Sequence, residues 1–509
     1  MATAYLTPGV YVEEVDRGPK PIEGVGTAVA AFLGVAEKGP IGEATMVANW
    51  TQYTEQFGGF VPGAYMAQAV YGYFNNGGNL CFVVRVGDES AGEVAAPAAT
   101  AEIASKASGS PVTLKALARE TGAASDGIKL EVSDGPDDTF NLTVKRGTQE
   151  EKFEGLTMAR GAKNVLEVVN KQSTLVTLEE VATKGVAIPE RAPAAGTYAL
   201  AVTSSTALAP VSPDQYEGNT ADRTGLCGLE AVDQVTMVCA PDVMAAYEQG
   251  ALDKDGVKAI QLAMIAHCER MGDRVAVIDP LPNMNAQEAY DWRQNGAGYD
   301  SKYAAMYYPW IQIANPFPGG PSTALVPPSG HIAGIWARSD GERGVHKAPA
   351  NEIIRGVLGL PITLTPSEQG VLNPVGVNCI RTFPGRGIRV WGARTLSSDP
   401  SWRYLNVRRL FNYVEKSIYI GTQWAVFEPN DQILWAKIRR DVGSFLQRAW
   451  MDGALFGATP EQAFFVKCDE ENNPSITRDA GQLFVDIGIA PVKPAEFIIF
   501  RIGQYSPEG

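Results

Sequence analysis

The chain has 509 residues, a formal net charge of −14 and 45% apolar residues. That length holds several domains and buries a core without disulfide or metal staples, and that apolar share excludes a wholly disordered chain. The surplus of 57 acidic over 43 basic side chains makes it a poor general binder of nucleic acid. Glycine, 53 of 509 residues, follows no G-X-Y period, which excludes collagen and points to many turns.

Residues 5–15 (YLTPGVYVEEV) read as an extended strand rich in Tyr and Val. Residues 16–24, with Gly18, Pro19, Pro21 and Gly24, read as a linker. Nine extended residues reach ~30 Å, so the chain begins with a strand held away from its own body. Residues 27–36 read as a buried strand. Trp50, Tyr53 and Phe57, at helical spacing, predict a short helix over 49–57 that Gly58-Gly59 ends. A second helix is predicted over 65–74, with a C-cap signal in NNGG at 75–78, and then a strand over 80–86.

From 88 to 110 the composition shifts to Ala, Glu, Ser and Gly. Short alternating runs at 128–132, 140–144 and 197–202 then predict a β-rich inserted module. Strands at 235–239 and 274–280 flank a helix at 256–271, a βαβ unit that implies parallel strands. Residues 303–315 and 326–338 continue that domain. Beyond 375, strands are predicted at 377–382 and 388–392 and helices at 402–420 and 431–450. Asn430 or Asp431 caps the second of these helices, and a last strand covers 495–505. The fold class is therefore multidomain, α/β and α+β. It has an α/β core with a parallel βαβ unit, an inserted β-rich outer module, and a C-terminal α+β domain with extended terminal strand arms. The domains are 1–24 (arm and linker), 25–87 with 221–374 (α/β), 88–220 (insertion) and 375–509 (C-terminal).

Charge is uneven along the chain. Residues 381–450 hold twelve Lys and Arg against five Asp and Glu, which suggests that one face meets an acidic partner. On the helix at 431–450, stepping 100° per residue gathers Leu434, Ile438, Val442, Phe445 and Ala449 into one apolar stripe. Lys437, Arg440 and Arg448 fall away from it. Composition alone favours a solvated face there over a contact face. Asp441, four residues after Lys437, is placed to neutralise it in part.

The motifs of chemistry are missing. No GxxxxGK[ST] phosphate loop occurs, and the glycine pairs at 24–26 and 385–387 do not complete a dinucleotide fingerprint. His267, His331 and His346 have no partner at metal spacing, and GxSxG is absent. Asp279, at the end of a strand, reads as a turn opener before Pro280. Asp134, Asp137 and Asp138 lack the spacing of a calcium loop. The six cysteines, at 81, 227, 239, 268, 379 and 468, form no CxxC pair and read as reduced core residues. No catalytic, metal or cofactor-binding residue is assigned, and no enzymatic activity is expected. No apolar run is long enough to cross a membrane, and no secretory signal is visible.

These pieces resemble the contractile tail sheath proteins of phage tails and contractile injection systems, over nearly the whole chain. The resemblance rests on YLTPGVYVEEV (5–15), TAVAAFLGVAEKGP (27–40), NWTQYTEQFGG (49–59), YGYFNNGGNLCFVVRV (71–86) and VAVIDP (275–280). It continues through PPSGHIAGIWARSDGERGVHKAPAN (327–351), NVRRLFNYVEKSI (406–418), VFEPNDQILWAKI (426–438), GALFGATPEQAFFVKCD (453–469), DIGIAP (486–491) and AEFIIFRI (495–502). Segment 88–220 departs from the family's common core and resembles an optional outer domain.

The resemblance implies a structural subunit without a cofactor. Such subunits stack as six-fold rings around an inner tube and contract to drive that tube through an envelope. Their partners are further copies of the chain, the inner tube protein, and baseplate and terminator or cap proteins. Nucleic acid and direct membrane insertion are not implied. The N-terminal arm (Tyr5, Leu6, Val10, Tyr11, Val12) and the C-terminal arm (Phe497, Ile498, Ile499, Phe500, Ile502) would add strands to neighbours, and Lys437, Arg440 and Arg448 would hold the tube. Assembly would be cytoplasmic, within a phage tail or tail-like particle. A sheath-related baseplate or cap protein, or an α/β enzyme, are the alternatives.

Overall fold

The computed structural model describes residues 21–502, apart from 88–98, 108–111, 120–126, 137–138, 148, 160, 182–190, 201–211 and 318–320. The chain divides into two compact units. One comprises 28–342 and 348–405; the other comprises the segment up to Thr27, residues 343–347, and 406 onward.

The larger unit is built on a nine-stranded sheet. Its order is Glu352–Ile353, Gly387–Trp391, Val377–Phe383, Ala304–Tyr308, Val275–Ile278, Met237–Cys239, Val29–Gly34, Leu80–Arg85, Thr45–Val47. The six strands from Val377–Phe383 to Leu80–Arg85 run parallel, and antiparallel strands close both margins. Parallel strands with both faces covered read as continuous apolar runs, and VAAFLG and LCFVVR are such runs. Successive side chains alternate between faces. Ala31, Leu33, Val238, Ile278 and Met306 enter one core with the helices Asp242–Glu248 and Lys254–Met271. Ala30, Phe32, Cys239, Val277 and Tyr307 enter the other, with Trp50–Phe57, Met66–Asn76 and Ser329–Arg343.

Local signals set the helix ends. Asn49 caps Trp50–Phe57 by accepting from Gln52 N at 2.9 Å. Gly77, at φ +117, ends Met66–Asn76 in a left-handed conformation that glycine adopts without a Cβ penalty. Helix Ser329–Arg343 lies hard against Met66–Asn76: a Cβ on Gly330 would sit 2.4 Å from the Ala69 backbone, and one on Gly334 2.5 Å from the Tyr73 carbonyl. The SGHIAG stretch is thus a close helix–helix contact.

The insertion holds a four-stranded and a three-stranded antiparallel sheet enclosing its own core with helix Val165–Gln172. Strands Ile128–Asp134, Phe140–Arg146 and Gly196–Ala199 match the alternating runs in the sequence. Four further strands, at Thr100–Ala104, Val112–Ala118, Gln149–Leu156 and Val176–Glu180, carried no clear signal. Lys145 bridges Glu131 and Glu150 across the strands at 2.6 and 3.7 Å, lacing one face with charge. After the insertion, Tyr216 is already buried in the core of the large sheet.

In the smaller unit, residues 406–421 of the helix Leu405–Gly421 and the helix Gln432–Met451 share a core with a two-stranded sheet, Phe464–Lys467 against Asp486–Ile489. Asp431 caps the second helix, accepting from Leu434 N at 2.8 Å.

Candidate assembly interface

The smaller unit carries most of the chain's exposed large apolar side chains among the described residues. Exposed patches of this kind on a soluble chain mark interaction surfaces. The C-terminal segment is the extreme case. After Asp486–Ile489 the chain stays bound through Ala490 N to Ala463 O, at 2.8 Å, and Val492 N to Ala454 O, at 3.3 Å. Beyond Pro494 it leaves. Phe497, Ile498, Ile499, Phe500 and Ile502 are between 71% and 95% exposed. The strand expected at 495–505 is not formed in the described residues 495–502. The physical reason is that a strand needs a partner ladder, and the single chain supplies none to this segment.

The two-stranded sheet of the same unit has the complementary property. Phe464, Val466, Ile487 and Ile489 face the core. Phe465 faces outward over Gly488, where a Cβ would lie 2.1 Å from its ring. Each strand keeps an outer edge, and a two-stranded sheet is marginal by itself.

Tyr5, Leu6, Val10, Tyr11 and Val12 lie outside the described residues. The linker that follows is shorter than its sequence suggests. From Ile22 the chain is fastened: Ile22 is buried against Gly421, and Gly24 sits against the Tyr413 ring. Val25 N donates to Ser417 Oγ at 3.2 Å, and Arg409 donates to the Thr27 carbonyl at 3.1 Å. The composition of 16–24, rich in Pro and Gly, did not reveal this clamp, because it is made by side chains some 400 residues later.

The cations of helix Gln432–Met451 have different surroundings. Lys437 is exposed. Arg440 is exposed and pairs with the buried Asp441, Nε to Oδ1 at 2.9 Å. Asp441 therefore neutralises Arg440 and not Lys437: its carboxylate turns toward the buried side of the helix, where Arg440 reaches around to it. Arg448 donates to the Ile22 carbonyl at 2.6 Å, so one of its N–H groups holds the incoming chain. Ile433 and Met451, near the two ends of the helix, are exposed. Phe427, just before this helix, is fully exposed with φ +68. Neither the exposed apolar residues of the helix nor Phe427 was singled out from the sequence, although all of them could be found as large apolar positions off the 434–449 stripe.

Part of the positive segment 381–450 is internal. Arg394, Arg408 and Arg409 are buried. Arg408 Nε donates to Asn412 at 2.6 Å and Nη2 to Glu415 at 3.1 Å, while Arg394 donates to the Asn373 carbonyl at 3.0 Å. Composition therefore overstates the cationic surface.

Four buried titratable residues of the large unit, Asp242, Asp279, His267 and His331, make internal contacts. Asp242 and Asp279 follow two parallel strands, at the sheet end where α/β proteins bind ligands. Asp242 accepts from Val35 N at 2.6 Å, Met66 N at 3.1 Å and Tyr65 N; burial raises its pKa to about 6. Asp279 accepts from Ser329 N at 2.9 Å, at the start of helix Ser329–Arg343, and burial raises it to about 7. Both tie loops to the sheet. His331 is buried over Gly72, and desolvation lowers it to about 4. His267 is buried, with Nε2 3.3 Å from Arg274; desolvation and then the Arg274 charge lower it to about 3. Burial thus favours the neutral imidazole at both positions. The carboxylate of Asp134 pairs with Lys106, and Asp137 and Asp138 lie outside the described residues. Among the described residues no group of His, Cys, Asp and Glu is placed to hold a metal ion. No helix among them is long and apolar enough to cross a membrane.

Two models of one protein family fit adjacent stretches of the chain. The phage tail sheath protein central domain matches residues 229–396, and the phage tail sheath C-terminal domain matches 397–504. The tail sheath protein of Vibrio phage KVP40 is 30% identical over 177 residues, which is 34% of this chain but only 26% of that relative. The tail sheath protein of Burkholderia phage BcepMu is 26% identical over 98% of this chain and 97% of its own length. Among solved structures, the helical sheath of the anti-feeding prophage in its contracted state shares the fold, with a TM-score of 0.59 at 24% identity over 98% of this chain and all of that one.

Proposed function

The chain belongs to the phage tail sheath family, and we propose that it is the subunit of a contractile sheath that polymerises by exchanging terminal strands. One observation carries the reading: an exposed apolar segment, Phe497–Ile502, in the same compact unit as a sheet that has only two strands among the described residues. Segment 497–502 of one copy adds to that sheet in a neighbour, and residues 5–12 of another copy add a further strand. Strand addition supplies main-chain hydrogen bonds for affinity and pockets for alternate side chains. The contacts of Ile22, Gly24, Val25 and Thr27 fix the point from which the proposed N-terminal arm would reach a neighbour.

In this reading the subunits stack as six-fold rings about an inner tube, with Lys437, Arg440 and Arg448 facing it. Exposed ion pairs contribute ~0–1 kcal/mol each. Repeated around a cylinder they hold an extended state and still release it. Contraction is then a rigid-body repacking powered by energy stored at assembly, with no nucleotide consumed. The inserted module, with its closed core and charge-laced sheet, is a solvent-facing outer domain. The baseplate and a terminator cap the ends of the cylinder.

The test is polymerisation of the purified chain, read by pelleting and negative-stain electron microscopy. Hollow striated cylinders are expected from the intact chain, and folded single subunits from a chain lacking residues 1–15. Intact cylinders from the truncated chain refute strand exchange through the N-terminal arm.

A further inference from the structure

The hairpin Val377–Phe383/Gly387–Trp391 lies next to one margin of the nine-stranded sheet and carries three arginines. Arg381 and Arg389 stand directly opposite each other in its register, and Arg386 is in its turn. Like charges directly opposed weaken a strand pair. Among the described residues none of the three forms an ion pair with a carboxylate; their acceptors are neutral. Arg381 donates to Gln369 Oε1 at 2.8 Å. Arg386 donates to Asn351 Oδ1 at 3.1 Å, and Arg389 to the Asn351 carbonyl at 2.7 Å. The Phe383 ring sits within 5.5 and 5.6 Å of the Arg381 and Arg386 guanidiniums. The nearby carboxylates are engaged elsewhere: Glu352 lies 3.7 Å from Arg338, and Glu368 accepts from Thr365 at 2.8 Å. The hairpin thus fixes the direction of its guanidiniums and leaves their charge uncompensated. Sequence counting found the positive segment but not this hairpin.

The same unit offers a surface of opposite sign. Asp214 and Glu217 are exposed on helix Pro213–Glu217, and Asp222 is exposed in the turn that follows. Gly225 N donates to the Gly42 carbonyl at 3.0 Å, which brings the exposed Glu43 to that turn. Gly42 N in turn donates to the Arg85 carbonyl at 2.8 Å, at the end of Leu80–Arg85 and toward the other margin of the sheet. Arg223 shares the turn and leaves the surface acidic.

We propose that the arginine hairpin docks head to tail on the surface formed by Glu43, Asp214, Glu217 and Asp222 of a second copy of this chain, an inference that rests on the sheath reading above. Complementary charge selects the occupant: a chain of net charge −14 repels nucleic acid and attracts a cationic hairpin through its acidic surface. The two surfaces differ, so the contact is heterologous and propagates from copy to copy.

Charge reversal in the full-length chain tests it, with assembly read by sedimentation against protein concentration and folding by circular dichroism. R386E with R389E, and separately D214K with E217K and D222K, should each raise the concentration needed for assembly about tenfold. The chain carrying all five reversals should recover to within about threefold of the wild type. Roughly 0.5 M salt should shrink these differences. If R386E with R389E fails to fold, R386Q with R389Q keeps donors for Asn351 and should still raise that concentration. Single-surface reversals that assemble like wild type overturn the inference alone. A folded five-fold variant that fails to recover also overturns it, and points to a different acidic partner for the hairpin. A wild-type chain that stays single at every concentration overturns both this inference and the sheath reading.

Discussion

The C-terminal segment makes a face-specific prediction. In an extended strand alternate side chains share a face, so Ile498, Phe500 and Ile502 line one side and Phe497, Ile499 and Arg501 the other. The first face is wholly apolar; the second ends in a charge. The first face should therefore meet the neighbour's core. Phe500 is 83% exposed in the single chain, so docking removes nearly its whole side chain from water. Full burial of such a side chain is worth about 1.5–3 kcal/mol. Phe500→Ala should then weaken each joint by about 2 kcal/mol, which is roughly a 30-fold rise in the concentration needed for assembly. Main-chain hydrogen bonds of the added strand are untouched, so the loss reports the side chain alone. The assay is pelleting across a concentration series, with thermal unfolding of the unassembled subunit as control. The subunit should unfold near the wild-type temperature, because Phe500 is 83% exposed in the single chain. Ile499→Ala, on the other face, should cost markedly less. A Phe500→Ala chain that assembles normally, or one whose isolated subunit loses stability by the same amount, refutes the strand-donation argument.

Lys437→Glu, at an exposed position, should leave folding intact and yield sheaths that are empty or contract spontaneously, scored by electron microscopy of co-expressed sheath and tube; normal extended particles would return that helix face to solvent. Gly334→Val places a side chain 2.5 Å from the Tyr73 carbonyl and should destabilise the larger unit by about 1–3 kcal/mol or more, measured by urea unfolding; an unchanged midpoint would mean the two helices are not in contact. Asp279 is raised from 3.8 to about 7 in the folded chain, so its protonated form is favoured by folding: the contribution is full below pH 3.8 and lost as pH rises through 7. At about 1.4 kcal/mol per unit, wild type should lose about 3 kcal/mol relative to Asp279→Asn between pH 5 and pH 8. A difference independent of pH would show that the carboxyl is not buried as described.

What could be read from the sequence was what local chemistry decides. Asp431, one of two cap candidates, Gly77 within the NNGG stop and the apolar runs VAAFLG and LCFVVR each act within a few residues and are where the sequence placed them, while Asn49, read as part of its helix, is that helix's cap. The missed strand Gln149–Leu156 (QEEKFEGL) buries only Phe153 and Leu156; as an edge strand it faces water along most of its length, so its residues carry edge-protecting charge instead of an apolar period. The buried arginines were misread for a different reason. A charge count cannot tell a guanidinium stacked inside a unit from one on its surface. The side-chain amide of Asn412, one helical turn after Arg408, accepts from it and was the available hint. The sequence marked 495–505 as apolar and extended, and the described part of it is exposed, but whether a strand forms there depends on a second chain, which no single sequence contains.

The division of labour between interior and surface is the one that the proposed contractile cylinder would demand of its parts. A joint that must survive rearrangement cannot depend on one strong, geometrically exact contact inside a flexible subunit, because any strain would be absorbed by the subunit itself. Here the interior is locked by interactions that do not slide: arginines bonded to buried carbonyls and amides, carboxylates holding loop N–H groups, and glycines that let two helices meet backbone to backbone. Packed interiors transmit strain instead of yielding to it. The surface carries the opposite kind of group, a largely exposed apolar segment and guanidiniums that form no ion pair among the described residues. In the proposed assembly such contacts would be individually weak or wholly intermolecular, so their loss or exchange would leave each subunit intact. Energy released when many of them are remade at once would then appear as displacement of rigid bodies and not as unfolding.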